Sequence, residues 1–249
     1  MKWLFVYLLF LTTILYSQKP EKTDSFAFYT SSSYPNVQNN NYREALIHTQ
    51  KAIINAETND NATGQASENY NLGKLYLDLN KYNDAIESLT KSTELYSKLE
   101  PSAKQVAAYY NIGLCYMAKQ NFDTAASYFN KAKSIHDLLQ TPDTAELFNL
   151  QKGLIYKSTN KLDLAKSVFE TIISKPNNSA ILNTKAEALY QNGFIETIRN
   201  RNNLALNYLD KALELNAKLE NLEQRSQILL ALSTVYEKIL DKNNAYSYL

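Results

Sequence analysis

Glycine recurs every forty residues through most of this sequence, at Gly73, Gly113, Gly153 and Gly193, with Ser233 in the fifth position of the series. Alanines recur with the same period, twelve residues after each of these positions: Ala85, Ala125, Ala165, Ala205 and Ala245. Self-similarity at a fixed period of 20–50 residues is typical of solenoids, in which successive copies stack on one another. The period therefore predicts a repeat array.

Each copy is predicted to contain two helices. Leu72, Tyr76 and Leu79 follow one another at helical spacing and share a face. Glycine inside a helix costs about 1 kcal/mol relative to alanine. A cost that recurs in register indicates a close helix crossing, and we expect the alanine of the second helix to be the small residue that faces it. Asparagines such as Asn80 and Asn160 lie in the short joints, where they tolerate the left-handed backbone that ends a helix.

This order of an apolar residue, glycine, tyrosine, alanine, Phe or Leu and a second alanine (Ala132, Ala212) resembles the tetratricopeptide repeat (TPR), in a forty-residue variant. The resemblance implies an all-α, right-handed superhelical solenoid of antiparallel helix pairs. Residues 42–249 would form about five repeats, the last one incomplete. The chain is also similar to the exported repeat regions of Bacteroidetes-type sensor proteins, in which a membrane helix and an output domain follow the repeats.

The first seventeen residues are predicted to be a signal peptide. Lys2 precedes an apolar run from Trp3 to Tyr16 that is too short for an ordinary membrane span, and Ser17 follows it. An uncleaved anchor is the alternative. Residues 18–41 are polar and are predicted to be mostly irregular. The array would then lie outside the cytoplasm, periplasmic or associated with the membrane.

No motif in the sequence indicates catalysis, a cofactor or a metal. The two histidines, His48 and His136, lie far apart in the chain and are expected on helix surfaces, and the single cysteine, Cys115, is expected to be buried. The 26 basic and 25 acidic residues balance, which gives no electrostatic reason to expect nucleic acid or an anionic membrane as a partner. We therefore predict no enzyme activity, no cofactor and no metal.

The first helices are predicted to carry a groove for a protein or an extended peptide. Side-chain amides at repeat spacing can both donate to and accept from a peptide backbone, and aromatic neighbours add apolar area. The alternative is that these side chains only pack against the neighbouring copy. The candidate residues are Tyr70, Asn71, Tyr110, Asn111, Leu114, Leu150, Gln151, Leu154, Tyr190, Gln191 and Phe194.

The function predicted from these features is that of a non-catalytic, exported scaffold that binds a protein or peptide. One alternative is the extracytoplasmic sensor region of a membrane-bound signalling protein, a histidine kinase or a helix-turn-helix regulator. Its output part would lie beyond Leu249, where the last predicted helix stops early. A second alternative, an enzyme, has no positive support in the sequence.

Overall fold

The computed structural model describes residues 41–139, 145–179, 181–219 and 221–248. The predicted signal peptide (residues 1–17), all but the last residue of the predicted irregular segment (residues 18–41), and Leu249 lie outside these ranges. The described residues form helices and no strand, so the all-α prediction is confirmed. The helices are α1 Tyr42–Thr58, α2 Ala62–Asp78, α3 Tyr82–Tyr96, α4 Ala103–Ala118, α5 Phe122–Leu139, α6 Ala145–Ser158, α7 Leu162–Ile173, α8 Leu182–Ile198, α9 Asn202–Asn216, α10 Leu222–Lys238 and α11 Lys242–Ser247.

The chain divides into two compact units, residues 1–115 and residues 116–249, and the division falls inside α4. In the first unit α1 packs on α2, and α2 packs on α3. In the second unit each helix from α5 to α11 packs on the next one, and α8 also contacts the first helices of the adjacent copies, α6 and α10. The described residues of each unit therefore form consecutive helix hairpins, as the period predicts.

Each joint between the first and the second helix of a copy ends on a residue with a left-handed backbone. The φ angles are 57° at Asn80, 57° at Gln120, 59° at Asn160, 55° at Asn200 and 63° at Leu240. The next residue donates its N–H to the carbonyl oxygen five positions earlier, a bond that satisfies the helix end. These bonds join Lys81 to Tyr76, Asn121 to Tyr116, Lys161 to Tyr156, Arg201 to Glu196 and Asp241 to Tyr236, at 2.7 to 3.0 Å. Asparagine occupies the left-handed position in three of the five joints.

The glycines lie at a close helix crossing, and the nearest side chain to each belongs to the residue one turn after the predicted alanine; at Gly193 an added Cβ would also lie 3.4 Å from the backbone oxygen of Ala205. A Cβ added at Gly153 would lie 2.3 Å from a ring carbon of Phe169, four residues beyond Ala165. The alanine is also buried, yet the large side chain one turn later fills the space over the glycine. The corresponding pairs are Gly73 with Leu89, at 2.4 Å, and Gly193 with Leu209, at 2.7 Å.

In two copies the tyrosine three residues after the glycine position packs against the tyrosine three positions after the alanine. Tyr116 stacks on Tyr128 with ring centroids 5.5 Å apart, and Tyr236 stacks on Tyr248 at 5.6 Å. Glu196 takes the tyrosine position in α8, where it is fully buried. Its carboxylate forms ion pairs with Lys166 and Arg201 instead of a ring stack.

Burial confirms one expectation for single residues and overturns another. Cys115 is buried inside α4, as expected. His136 does not lie on a helix surface, because only 5% of it is exposed and its ring centroid lies 5.5 Å from that of Phe148. The prediction was wrong because a histidine that does not recur from copy to copy gives no indication of which face of its helix it lies on.

Candidate binding surface on the first helices

All the predicted groove residues lie on first helices, and both units contain some of them. The structure places Tyr70 and Asn71 on α2, Tyr110, Asn111 and Leu114 on α4, Leu150, Gln151 and Leu154 on α6, and Tyr190, Gln191 and Phe194 on α8. The candidate residues on each helix recur with the forty-residue period of the glycines, so equivalent residues occupy equivalent positions on their helices. Their surroundings nevertheless differ between copies.

In the first unit a predicted tyrosine and a predicted amide bond to each other. The hydroxyl of Tyr70 on α2 is hydrogen-bonded to the side chain of Asn111 on α4. Burial raises the pKa of Tyr70, and the bond to Asn111 opposes that shift. The side chain of Asn71 donates to Glu68 Oε1 at 3.0 Å. These polar groups are held in place by mutual bonds.

In the second unit three of the predicted apolar residues belong to the core. Leu150 is 7% exposed and packs with Phe169, and Leu154 packs against the same cluster. Tyr190 packs against the neighbouring cluster around Leu209. Phe194 is different, because 40% of it is exposed and the Lys157 ammonium lies 4.7 Å from its ring centroid. Of these four residues, Phe194 presents the largest apolar surface to solvent.

A polar network joins the first helices of the second unit. Lys157 on α6 donates to Gln191 Oε1 at 2.5 Å, and Gln191 Nε2 donates to Glu187 Oε1 at 2.6 Å. The other oxygen of Glu187 accepts from Gln224 on α10 at 3.0 Å, and Gln224 Oε1 accepts from Asn216 at 3.0 Å. The network thus extends from α6 across α8 to α10 and holds these side chains in defined orientations.

Lys157 is the charged centre of this network. Burial lowers its pKa, and the carboxylate of Glu187 opposes the shift. Lysine occurs four residues after the glycine position in this copy alone, where the other copies have Leu77, Met117, Thr197 and Glu237. Because the sequence analysis looked for residues that recur with the repeat, it did not identify Lys157. Glu187 and Gln224 also occur at their repeat positions in one copy only, and they were not identified for the same reason.

A cavity of about 270 Å³ opens beside the network, between α6, α8 and α10. Its lining includes Leu150, Asn183, Glu187 and Gln224, together with Asn221 at the start of α10. Amide and carboxylate groups supply both donors and acceptors there, and Leu150 supplies an apolar floor. The arrangement suits the main chain and one small side chain of an extended segment.

Among the residues that the structure describes, no group of three or more His, Cys, Asp or Glu side chains could hold a metal ion. Also within them, no helix combines the length and the apolar character that a membrane crossing requires.

Profiles of the tetratricopeptide repeat family match two parts of the chain, residues 70–137 and residues 148–174. The chain therefore contains tetratricopeptide repeats over these residues, and the fold is one whose members are generally non-catalytic scaffolds. A comparison with curated proteins found no match.

Several solved structures share the fold. The quorum sensor NprR from B. thuringiensis is 13% identical, with a TM-score of 0.73 over 96% of this chain and 67% of its own. A Rap protein complexed with Competence and Sporulation Factor is 13% identical, with a TM-score of 0.69 over 90% of this chain and 66% of its own. The type IV pilus biogenesis factor PilW is 18% identical, with a TM-score of 0.65 over 90% of both chains. At these identities the similarity shows the fold alone, which is the TPR-like solenoid of antiparallel helix pairs.

Proposed function

We propose that this protein is a non-catalytic scaffold that binds an extended peptide or protein segment on the first helices α6, α8 and α10. The observation that carries the proposal is the network of Lys157, Gln191, Glu187 and Gln224 beside a cavity of about 270 Å³. Side chains fixed in this way lose little entropy when a ligand binds, and preorganisation of this kind favours affinity.

The compared structures support a protein or peptide partner. The Rap structure contains Competence and Sporulation Factor, and NprR is described as a quorum sensor. This chain spans about two thirds of each of those chains. For the present chain we propose that the main chain of the partner lies along the network. The exposed ring of Phe194 would contact an apolar side chain.

The binding test uses the purified protein and a phage-displayed library of random dodecapeptides. Selected peptides are synthesised with a fluorophore, and their Kd is measured by fluorescence anisotropy. We expect Phe194→Ala and Asn183→Ala each to weaken binding about tenfold, since each removes a contact worth roughly 1–2 kcal/mol. Matched controls on α9, Leu204→Ala and Asn207→Ala, should leave the Kd unchanged. Failure to enrich any peptide, or equal losses in the control variants, would contradict the proposal.

We also propose that the protein is exported and works outside the cytoplasm. Support comes from Lys2, the apolar run Trp3–Tyr16 and the small Ser17 that follows it. Cell fractionation and N-terminal sequencing test this proposal. A mature chain that begins near Gln18 is the expected result. An intact N-terminus in the soluble cytoplasmic fraction would contradict it.

A sensor region of a signalling protein is the second candidate function. The similarity of fold to a quorum sensor favours it, although that similarity does not extend to shared ligands. The reading frame after Leu249 separates the two candidates. A membrane helix followed by a kinase or helix-turn-helix domain would establish the sensor, and a stop codon would favour the scaffold alone.

A further inference from the structure

A five-residue pattern occurs twice in the second unit, once on each of two neighbouring helices. Residues 129–133 of α5 are FNKAK and residues 148–152 of α6 are FNLQK, so both have the form Phe-Asn-x-x-Lys. Within a helix, the asparagine and the lysine three positions later lie on one face, with the phenylalanine beside them. The two helices pack on each other, so the two copies of the pattern are brought together.

The register of α5 and α6 places the two lysines level with each other. The rings of His136 on α5 and Phe148 on α6 are in contact, with centroids 5.5 Å apart. The helices run antiparallel, so one turn back along α5 corresponds to one turn forward along α6. Lys133 lies one turn before His136, and Lys152 lies one turn after Phe148. The two lysines therefore start from the same level of the helix pair.

Both patterns line one cavity of about 390 Å³, and each contributes its phenylalanine, its asparagine and its lysine. Ala126, Ile155 and Tyr156 complete the walls. None of the described residues that line this cavity is acidic. The volume falls in the range of pockets for small molecules, which begins at roughly 300 Å³. The cavity thus combines apolar walls with two lysine side chains, one from each helix.

The charges of the two lysines are available to a ligand. Lys133 pairs with Asp137 at 2.6 Å, but both side chains are about half exposed, and an exposed pair of this kind contributes little stability. Lys152 lies 5.9 Å from the ring centroid of Tyr156, a contact that leaves its N–H groups free to bond. An anion that enters between the lysines would meet apolar rings on both sides, where charge pairs attract more strongly than in water.

We propose that this cavity is a binding site for a small organic carboxylate with an aromatic or aliphatic body. The carboxylate would lie between Lys133 and Lys152, with the amide of Asn130 beside it, because the Asn149 amide already donates to Glu146 Oε2 at 2.9 Å. The body would pack against Phe129, Phe148 and Tyr156. The site is separate from the peptide surface: both use α6, but no residue lines both cavities, and neither α8 nor α10 lines this one.

The test compares two probes of similar size and shape, the charged naphthalene-2-carboxylate and the neutral naphthalene-2-carboxamide, by isothermal titration calorimetry with the purified protein. We expect saturable binding of the carboxylate and binding of the amide weaker by tenfold or more. Lys133→Gln with Lys152→Gln should remove this preference. Lys131→Gln is the matched control, because Lys131 lies on the same helix over the Tyr128 ring and does not line the cavity.

A second variant tests the cavity without changing the charge. Ala126→Phe should fill the space and weaken carboxylate binding tenfold or more, with the fold checked by circular dichroism. Equal binding of the two probes, an equal loss in Lys131→Gln, or unchanged binding in Ala126→Phe would each overturn the proposal. Tighter binding of a peptide with a free C-terminal phenylalanine than of the naphthoate would also overturn it, in favour of a peptide end.

Discussion

Leu240 adopts a φ of 63°, in the left-handed region that a leucine side chain disfavours. The other copies place asparagine or glutamine in this position, and asparagine tolerates the left-handed region best of the non-glycine residues. The leucine gains little in return, because 82% of it is exposed. Leu240→Asn is therefore expected to raise the free energy of unfolding by about 1 kcal/mol.

Thermal and urea unfolding measure this effect, and Leu230 provides the control. Leu230 is also exposed, at 61%, but it lies inside α10 with helical backbone. Leu230→Asn should lower stability by a few tenths of a kcal/mol, because asparagine is a weaker helix former than leucine. A gain in both variants, or in neither, would show that backbone strain at residue 240 is not the cause.

Gly153 is the tightest of the three glycine contacts, because a Cβ there would lie 2.3 Å from a carbon of the Phe169 ring. Phe169 is fully buried and cannot swing into solvent. Gly153→Ala is expected to lower the free energy of unfolding by about 2 kcal/mol, in spite of the better helix propensity of alanine. Urea unfolding of the single variant measures the loss.

A double-mutant cycle shows whether the contact with Phe169 causes that loss. Phe169→Val makes room for the new methyl group. Gly153→Ala should therefore lower the free energy of unfolding less in the Phe169→Val variant than in the wild type. If the loss of stability in the double variant equals the sum of the losses in the two single variants, contact with Phe169 is not the cause of the Gly153→Ala effect. The same crossing explains why glycine recurs with the period: a large side chain of the second helix lies over the first helix at this position.

At the scale of helices, the ion pair between α7 and α8 connects two consecutive copies. Lys166 Nζ lies 2.6 Å from Glu196 Oε1, and the Glu196 side chain is fully buried. Lys166→Met would leave this buried carboxylate with Arg201 alone, at 3.5 Å. Because breaking a buried pair from one side is costly, we expect a loss of about 2 kcal/mol in the free energy of unfolding.

The compensating variant follows from the other copies, which have tyrosine in the position of Glu196. Lys166→Met combined with Glu196→Tyr should recover most of the lost stability, since the new ring would stack on Tyr208 as Tyr236 stacks on Tyr248. Chemical denaturation of the wild type, both single variants and the double variant measures the coupling. A double variant no more stable than Lys166→Met would contradict this account.

The helix pairs could be predicted from the sequence because their determinants repeat. The glycine or serine, the alanine and the residues of the joints recur from copy to copy at the same spacing, so the packing that they serve is visible as a period. The candidate surface depends on Lys157, Glu187 and Gln224, each of which occurs at its repeat position in one copy only. Residues that distinguish one copy from the next carry no period, and only the three-dimensional structure shows that they lie together.

Across the whole molecule, burial perturbs the ionisation of several tyrosines in the same direction. Desolvation is the largest cause of the raised pKa in each case, because an ionised phenolate is costly away from water. Glu170 and Glu196 add to the shift at Tyr208, which also hydrogen-bonds Glu170. The described tyrosines with a raised pKa are Tyr70, Tyr96, Tyr190, Tyr208 and Tyr236.

These shifts predict that the protein loses stability in alkali. In the unfolded chain these tyrosines lose their protons near pH 10, whereas in the folded chain they retain them, so the folded state binds more protons and the free energy of unfolding falls as pH rises. Burial lowers the pKa of Lys157 and Lys185, so at these two residues the unfolded chain binds more protons and stability rises with pH. This rise ends once lysine in the unfolded chain has lost its proton, near pH 10.4. Urea unfolding at about pH 8, 10 and 11 should therefore show the steepest loss of stability between the last two values.

Two variants test whether buried tyrosines cause this loss. Tyr208→Phe should reduce the loss of stability, whereas Tyr246→Phe, at a residue that is 70% exposed, should leave it unchanged. Equal loss in all three proteins would contradict the assignment to buried tyrosines.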